Sequence, residues 1–188
     1  LPVVVADLHS ALPAVLAGLR VERPGARVVY VMTDGGALPL AFSRTVAGLR
    51  DAGWLASTVT VGQAFGGDHE AVTVHSALLA ARHVLDADVV VVCQGPGNVG
   101  TGTPWGFTGV AAGEALNAAG ILGGTPIASL RVSFGDARPR HRGISHHSRT
   151  AYGRVCLVPA AVPYAMPTNV EQALVAEQAA ADGRHRDV

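Results

Sequence analysis

The sequence predicts a three-layer, doubly wound α/β fold built on a mostly parallel sheet of about six strands, a Rossmann-like architecture. Three observations point there. A strand followed by a helix recurs roughly every 30 residues, the length of a βαβ unit. Residues 89–93 read Val-Val-Val-Val-Cys, an unbroken run of the kind that forms a strand buried on both faces. The glycine-dense stretch Gln-Gly-Pro-Gly-Asn-Val-Gly-Thr-Gly-Thr-Pro-Trp-Gly at 94–106 follows it directly, as at the ligand-facing end of a parallel sheet.

Each element has its own justification. Residues 3–8 are the first strand, and Ser10 can cap a helix that tolerates Pro13 in its first turn and runs to about residue 19. Residues 27–32 are the second strand. Thr-Asp-Gly-Gly-Ala-Leu-Pro at 33–39 leads from it to a helix that starts at Pro39 and ends near Asp51, with Gly53 as its stop. The third strand is 57–61. Gly-Gln-Ala-Phe-Gly-Gly-Asp-His-Glu at 62–70 then turns into a helix with Asp68 as N-cap and Val74, Leu78, Ala81 and Leu85 at core-facing spacing. The fourth strand and its glycine loop lead to a helix over about 108–119. Residues 126–132 and 155–159 are the fifth and sixth strands, and Thr-Asn-Val-Glu at 168–171 is a capping box that opens a final surface helix. In such a sheet the segments that follow strands share one edge. His9, Asp34, Asp68, His69, residues 94–105 and residues 136–147 are therefore expected to converge on one crevice.

Composition narrows the function. With 188 residues, 49% hydrophobic and 15% charged, the chain reads as one domain over 1–188 with ample material for a core. It has no uncharged apolar run of about 18 residues, so no membrane span is expected. All fourteen basic residues are arginine. The lack of lysine excludes a P-loop lysine, a pyridoxal phosphate Schiff base and a lysine general base together. Fourteen acids bring the net charge to zero, which argues against a nucleic-acid or membrane-surface partner. Cys93 and Cys156 make no disulfide framework, and a reduced, cytoplasmic setting is expected. The chain opens Leu-Pro-Val-Val-Val inside a strand, without methionine, and is expected to be a fragment lacking an upstream N-terminal part.

The candidate site residues fall in four stretches. Gly95, Gly97 and Gly100 formally match a dinucleotide fingerprint, but residues 101–106, with Pro104, separate the third glycine from the helix, and no acid ends the next strand. A nicotinamide or flavin is thereby disfavoured. The same glycine amides with the Thr101 and Thr103 hydroxyls ahead of a helix suit an anion, and no carboxylate lies between residues 89 and 113. Asp34, at a strand end beside two glycines, is a candidate catalytic carboxylate. Asp68 and His69 are candidates for acid/base work or metal ligation, with Asp68 also explained as a cap. In residues 133–147, Arg138, Arg140 and Arg142 alternate along a proline-stiffened segment and would form an anion-binding fork if it is extended. His141, His146 and His147 lie within seven residues there, with Asp136 the only acid. His146 and His147 cannot both face one metal on a strand, and no zinc-binding spacing is present. A divalent metal would have to be assembled from separate loops, with His9, Asp34, Asp68 and His69 the candidate ligands.

The blocks at 32–39, 62–71, 95–103 and 138–147 together resemble an uncharacterised bacterial family, found in actinobacteria and firmicutes and known only as a domain of unknown function. The resemblance runs from His9 to about Tyr152. It implies that these loops belong together and that an N-terminal part precedes them, and it implies no activity.

Two functions from different classes fit. One is an enzyme, a hydrolase or transferase rather than an oxidoreductase, acting on a small anionic, phosphate- or nucleotide-like molecule, with Asp34, Asp68, His146 and His147 as catalytic candidates. The other is a non-catalytic metabolite-sensing or assembly domain using the same crevice. The helix at 108–119 has Glu114 as its only charge, so its outer side is expected to be covered by a second subunit in a homodimer or by the missing upstream part.

Overall fold

The computed structural model describes residues 1–36, 38–164 and 170–184. The strands are β1 (Pro2–Ala6), β2 (Val28–Thr33), β3 (Ser57–Val61), β4 (His69–Ala71), β5 (Val89–Gln94) and β6 (Thr125–Ser129). They form one six-stranded sheet in the order β4-β3-β2-β5-β1-β6, and every pairing in it is parallel. β5 is buried along its whole length between β1 and β2, with Val90 opposite Val3 on one side and Val29 on the other. Its run of β-branched residues fits that place because side chains on both of its faces meet core.

The helices divide between the two faces. α1 (Leu12–Glu22) and α2 (Arg44–Asp51) pack Leu12, Leu16, Val46 and Leu49 against Val28, Tyr30 and Val91. α3 (Val74–His83) and α4 (Ala111–Ile121) pack Ala77, Leu78, Ala81 and Leu116 against Val29, Val31, Val90 and Val92. The alternation of Val28 and Tyr30 with Val29 and Val31 is the period of two that a doubly covered strand requires. Connections from β1 to β2 and on to β3 run one way across the sheet with their helices on one face. Those from β4 to β5 and on to β6 return with helices on the other, as right-handed crossovers demand. β1 and β5 are therefore neighbours whose chains leave to opposite faces, and the crevice at their C-terminal ends is the switch point of the sheet.

Several expected elements take other forms. Ser10 lies in a 3-10 turn, His9–Ala11, without capping through its side chain. The second helix is preceded by a 3-10 turn, Leu40–Phe42, and is capped by Ser43, whose hydroxyl accepts from Val46 N. α3 begins only at Val74, where Thr73 and Ser76 form a reciprocal capping box, so Asp68 is not a cap. Residues 62–68 instead run back along β3, and β4 pairs with its open edge. The fifth strand stops at Ser129, and β7 (Val132–Ser133) pairs antiparallel with β8 (Gly143–Ile144).

The sixth strand expected at 155–159 is absent. Residues Ala151–Val155 form a π-helical turn, and the Asn117 side chain of α4 donates to Val155 O and accepts from Leu157 N, the backbone groups a ladder would need. This segment lies on α4: a β-carbon at Gly113 would collide with Ala151 O, and one at Gly120 would lie 2.8 Å from Val158. The outer side of α4 is thus covered by the chain's own 151–158 segment. Thr168 and Asn169 of the capping box lie outside the described residues, as does His185; α6 spans Val170–Arg184. Among the described residues no helix is long and apolar enough to cross a membrane.

Candidate functional site

Asp7 leaves the C-terminal end of β1 directly at the switch point. It is only 2% exposed, and its Oδ2 has no hydrogen-bond partner. Burial pushes the carboxyl up from 3.8 to about 6, with Arg131 opposing the shift. Its position is set by the backbone. Gln94 Nε2, at the end of β5, donates to Asp7 O, and Tyr152 donates from the π-helical turn to Val5 O.

The 138–147 segment supplies three imidazoles beside it. Pro139–His141 is a 3-10 turn, β8 follows, and α5 (His146–Thr150) starts with Ser145 as its N-cap. The Ser145 hydroxyl accepts from His147 N and lies 2.8 Å from His141 Nδ1, so one residue both starts the helix and orients a ring. Because His146 and His147 open a helix, they stand about 100° apart rather than on opposite faces of a strand. Their ring centroids are 4.4 Å apart, and His141 lies 4.9 and 5.0 Å from the two. The bar to both facing one metal, stated for a strand, does not apply to this backbone.

Phe107, at the end of the glycine loop, stacks on His147 at 3.9 Å. Asp7 Oδ2 is 3.8 Å from His147 Nδ1 and Asn98 Nδ2 is 3.5 Å from the same nitrogen; Thr108 holds Asn98 by donating to its Oδ1. Burial first, and then the neighbouring imidazoles and Arg131, push His147 down to about 3. Burial, Arg131 and Arg138 take His141 to about 4. Burial and Arg140 lower His146 as well. With His147 pushed down to about 3, the Asp7–His147 contact is not an ion pair at pH 7 despite its distance.

A cleft of about 280 Å³ opens over this group, lined by Arg131, Arg138, Arg140, His141, His147, Asn98, Gly100, Gly102 and Leu8. Arg138 grips Asp136 through Nε and Nη2, both at 2.9 Å, and Arg131 stands 3.5 Å from the same carboxylate. Those Arg138 contacts hold Asp136 well below the usual carboxylate range. Three arginines line the cleft, and Arg131 and Arg138 share the single carboxylate of Asp136, which leaves the cleft with excess positive charge. The segment is not extended, so the alternating fork does not form: Arg142 is outside the cleft lining and donates to Asp136 O.

The glycine loop closes on itself. Thr101 N donates to Gly106 O, the Thr101 and Thr103 hydroxyls are 2.9 Å apart, and Gly106 N donates to Thr103. Both hydroxyls are therefore engaged within the loop. Gly97 and Gly102 have φ of 105° and 80°, which accounts for two glycines by turn geometry. Gly100 and Gly102 reach the cleft; Gly95 packs on Met32, and Gly97 does not line the cleft.

The remaining candidates are dispersed. Asp34 lies on the same sheet edge, exposed, and accepts from Gln63 N, but is not in the cleft. His9 is buried, with Nε2 2.7 Å from Ser43 Oγ and Nδ1 near Tyr30 OH and Gln94 O, so both of its nitrogens are used by the fold. Asp68 sits at the start of β3, at the opposite end of the strands, accepting from Thr58 N and pairing with Arg50 at 2.6 Å. His69 is exposed in β4. Asp7 and Arg131 were not anticipated. A lone carboxylate closing an apolar strand was the available signal for Asp7, while Arg131 was absorbed into the expected fifth strand.

Fold and site together define a doubly wound α/β domain with three clustered imidazoles, a buried carboxylate and an arginine-rich cleft at its switch point. The chain belongs to the family described as protein of unknown function (DUF3866), matched over residues 1–188. No curated protein and no solved structure matches it.

Proposed function

We propose that this domain is an enzyme that binds a small anionic molecule, phosphate- or carboxylate-bearing, and carries out hydrolysis or group transfer on it. The observation that carries this is the convergence of Arg131, Arg138 and Arg140 with His141 and His147 in one cleft. Arginine presents planar donors suited to phosphate and carboxylate oxygens. Arg140 has no ion-pair partner among the described residues and is the group most available to the ligand. His141 and His147 line the same cleft and would contact the bound group through their ring nitrogens, with Asp7 behind His147. Arg131, already engaged with Asp136, would polarise the bound group as negative charge develops on it.

The test is binding and turnover on the same protein. Inorganic phosphate and a nucleoside monophosphate are titrated calorimetrically, and release of p-nitrophenol from its phosphate and carboxylate esters is followed. His147→Gln should retain anion binding, which rests on the arginines, and remove most of the turnover. Binding without turnover of either ester class points to the sensing domain instead, and no anion binding removes the proposal altogether.

A further inference from the structure

We infer that His141, His146 and His147 form a binding site for a borderline divalent metal ion of the zinc class. One ligand atom from each lies within 4.8 Å of the others. Zinc–nitrogen bonds of about 2.0–2.1 Å put tetrahedral ligand atoms roughly 3.3 Å apart, so small ring rotations close the trio around an ion. Nitrogen donors with a nearby carboxylate select zinc, iron or cobalt over calcium and magnesium.

The hydrogen bonding outside the trio distinguishes a ligand set from three histidines that merely pack. His141 Nδ1 is taken by Ser145 Oγ, leaving Nε2. His146 Nε2 is buried without any partner, a cost that a packed histidine has no reason to carry. His147 turns Nδ1 toward Asp7, whose buried Oδ2 is also unpartnered. A metal on His147 Nε2 would put the proton on Nδ1, where Asp7 at 3.8 Å would receive it in place of the present contact with the Asn98 amide at 3.5 Å, the carboxylate–histidine–metal arrangement that orients and strengthens a ligand. One ion therefore satisfies both orphaned atoms. Three protein ligands leave a position open toward the arginine-lined cleft, where the ion would supply Lewis acidity to a bound anion. The metal site does not depend on the anion proposal, since it stands on the imidazoles alone.

The experiment uses untagged protein stripped with chelator, then titrated with Co²⁺ as a visible probe and with Zn²⁺ in competition. One Co²⁺ per chain with a d–d absorption band displaced by Zn²⁺ is expected. His146→Gln, which disturbs no hydrogen bond, should weaken affinity at least tenfold, as should His147→Gln. Asp7→Asn should weaken it by about 10–100-fold through its effect on His147. His75→Gln, on an exposed position of α3, should leave affinity unchanged. Circular dichroism verifies that each variant is folded, and His146→Gln decides the matter if His147→Gln is not. Uptake below stoichiometry, or uptake indifferent to His146→Gln, overturns the site. Arg140→Ala separates the two proposals: it should weaken phosphate and spare Co²⁺, whereas failure of the metal site leaves phosphate binding intact.

Discussion

Asp7 Oδ2 and His147 Nδ1 lie 3.8 Å apart in the core of the switch point, a buried carboxylate facing a neutral imidazole with no hydrogen bond to either Asp7 Oδ2 or His146 Nε2. Such an arrangement costs stability, and its cost is measurable through pH. The folded state holds the Asp7 proton more tightly than the unfolded chain, with about 6 against 3.8. This group therefore favours folding fully below pH 3.8, and that contribution is lost as pH rises through 6. The metal-free Asp7→Asn protein should match wild type near pH 3 and exceed it by about 1–3 kcal/mol above pH 7. Urea unfolding at a series of pH values checks this; a less stable variant at neutral pH would mean the carboxylate is held by contacts.

The arginines of the 138–142 segment differ in role. Arg140 lines the cleft with no ion pair among the described residues, whereas Arg142 donates to Asp136 O away from it. Arg140→Ala should weaken phosphate binding by about 1.5–3 kcal/mol, the worth of a charged hydrogen bond, and Arg142→Ala should leave it nearly unchanged. Calorimetric titration of both distinguishes the two residues; equal losses would show that only the net charge matters.

Close packing of α4 makes another prediction. A β-carbon at Gly113 would strike Ala151 O and lie 2.7 Å from Val155 Cβ, both in the π-helical turn that covers the helix. Gly113→Ala should destabilise the domain by about 1–3 kcal/mol through overpacking, despite the better helix propensity of alanine. Gly18→Ala, in α1 with open space around it, should be neutral or stabilising by up to about 1 kcal/mol. Thermal unfolding of the pair is the measurement, and equal behaviour would show that the 151–155 turn yields easily.

Asp68 is expected to act on stability alone. Burial by itself would raise its carboxyl, but the Thr58 amide and hydroxyl and the Arg50 guanidinium outweigh it and hold it below the ordinary value. Asp68→Ala should cost about 1–3 kcal/mol at neutral pH by leaving Thr58 N without its acceptor, and should not alter phosphate or Co²⁺ binding. The contribution is present above pH 3.8 and is lost on acidification through the lower folded value, so the difference from wild type should shrink in acid. A binding defect in this variant would return Asp68 to the site.

What the residues determined on their own was the architecture. Runs such as 89–93, recurring between helical stretches, can only be buried on both faces of a parallel sheet, because no alternation leaves a side for water. From that alone followed the edge on which the glycine loop, Asp34 and the histidine-rich segment would gather. The apolar character of α4 was equally plain, but what covers it was decided by contacts such as Asn117 holding the backbone of Val155 and Leu157, so that the chain meets the sheet edge only at an isolated parallel bridge between Ala161 and Ile127. Local propensity cannot report such a contact, made across 38 residues.

The site was decided by tertiary structure in the same way. Asp68 read as a cap because its local sequence permits one, yet the open edge of β3 offered backbone pairing that drew residues 69–71 into β4 and carried Asp68 to the other end of the strands. His146 and His147 could meet only once Ser145 had turned the chain into a helix at that point, and His141 joined them through the same hydroxyl. Asp7 showed in the sequence only as the last polar residue of a strand. Its importance comes from burial beside those rings, a quantity that depends on how α4, β5 and the 138–147 segment close over it rather than on any residue next to it in the chain.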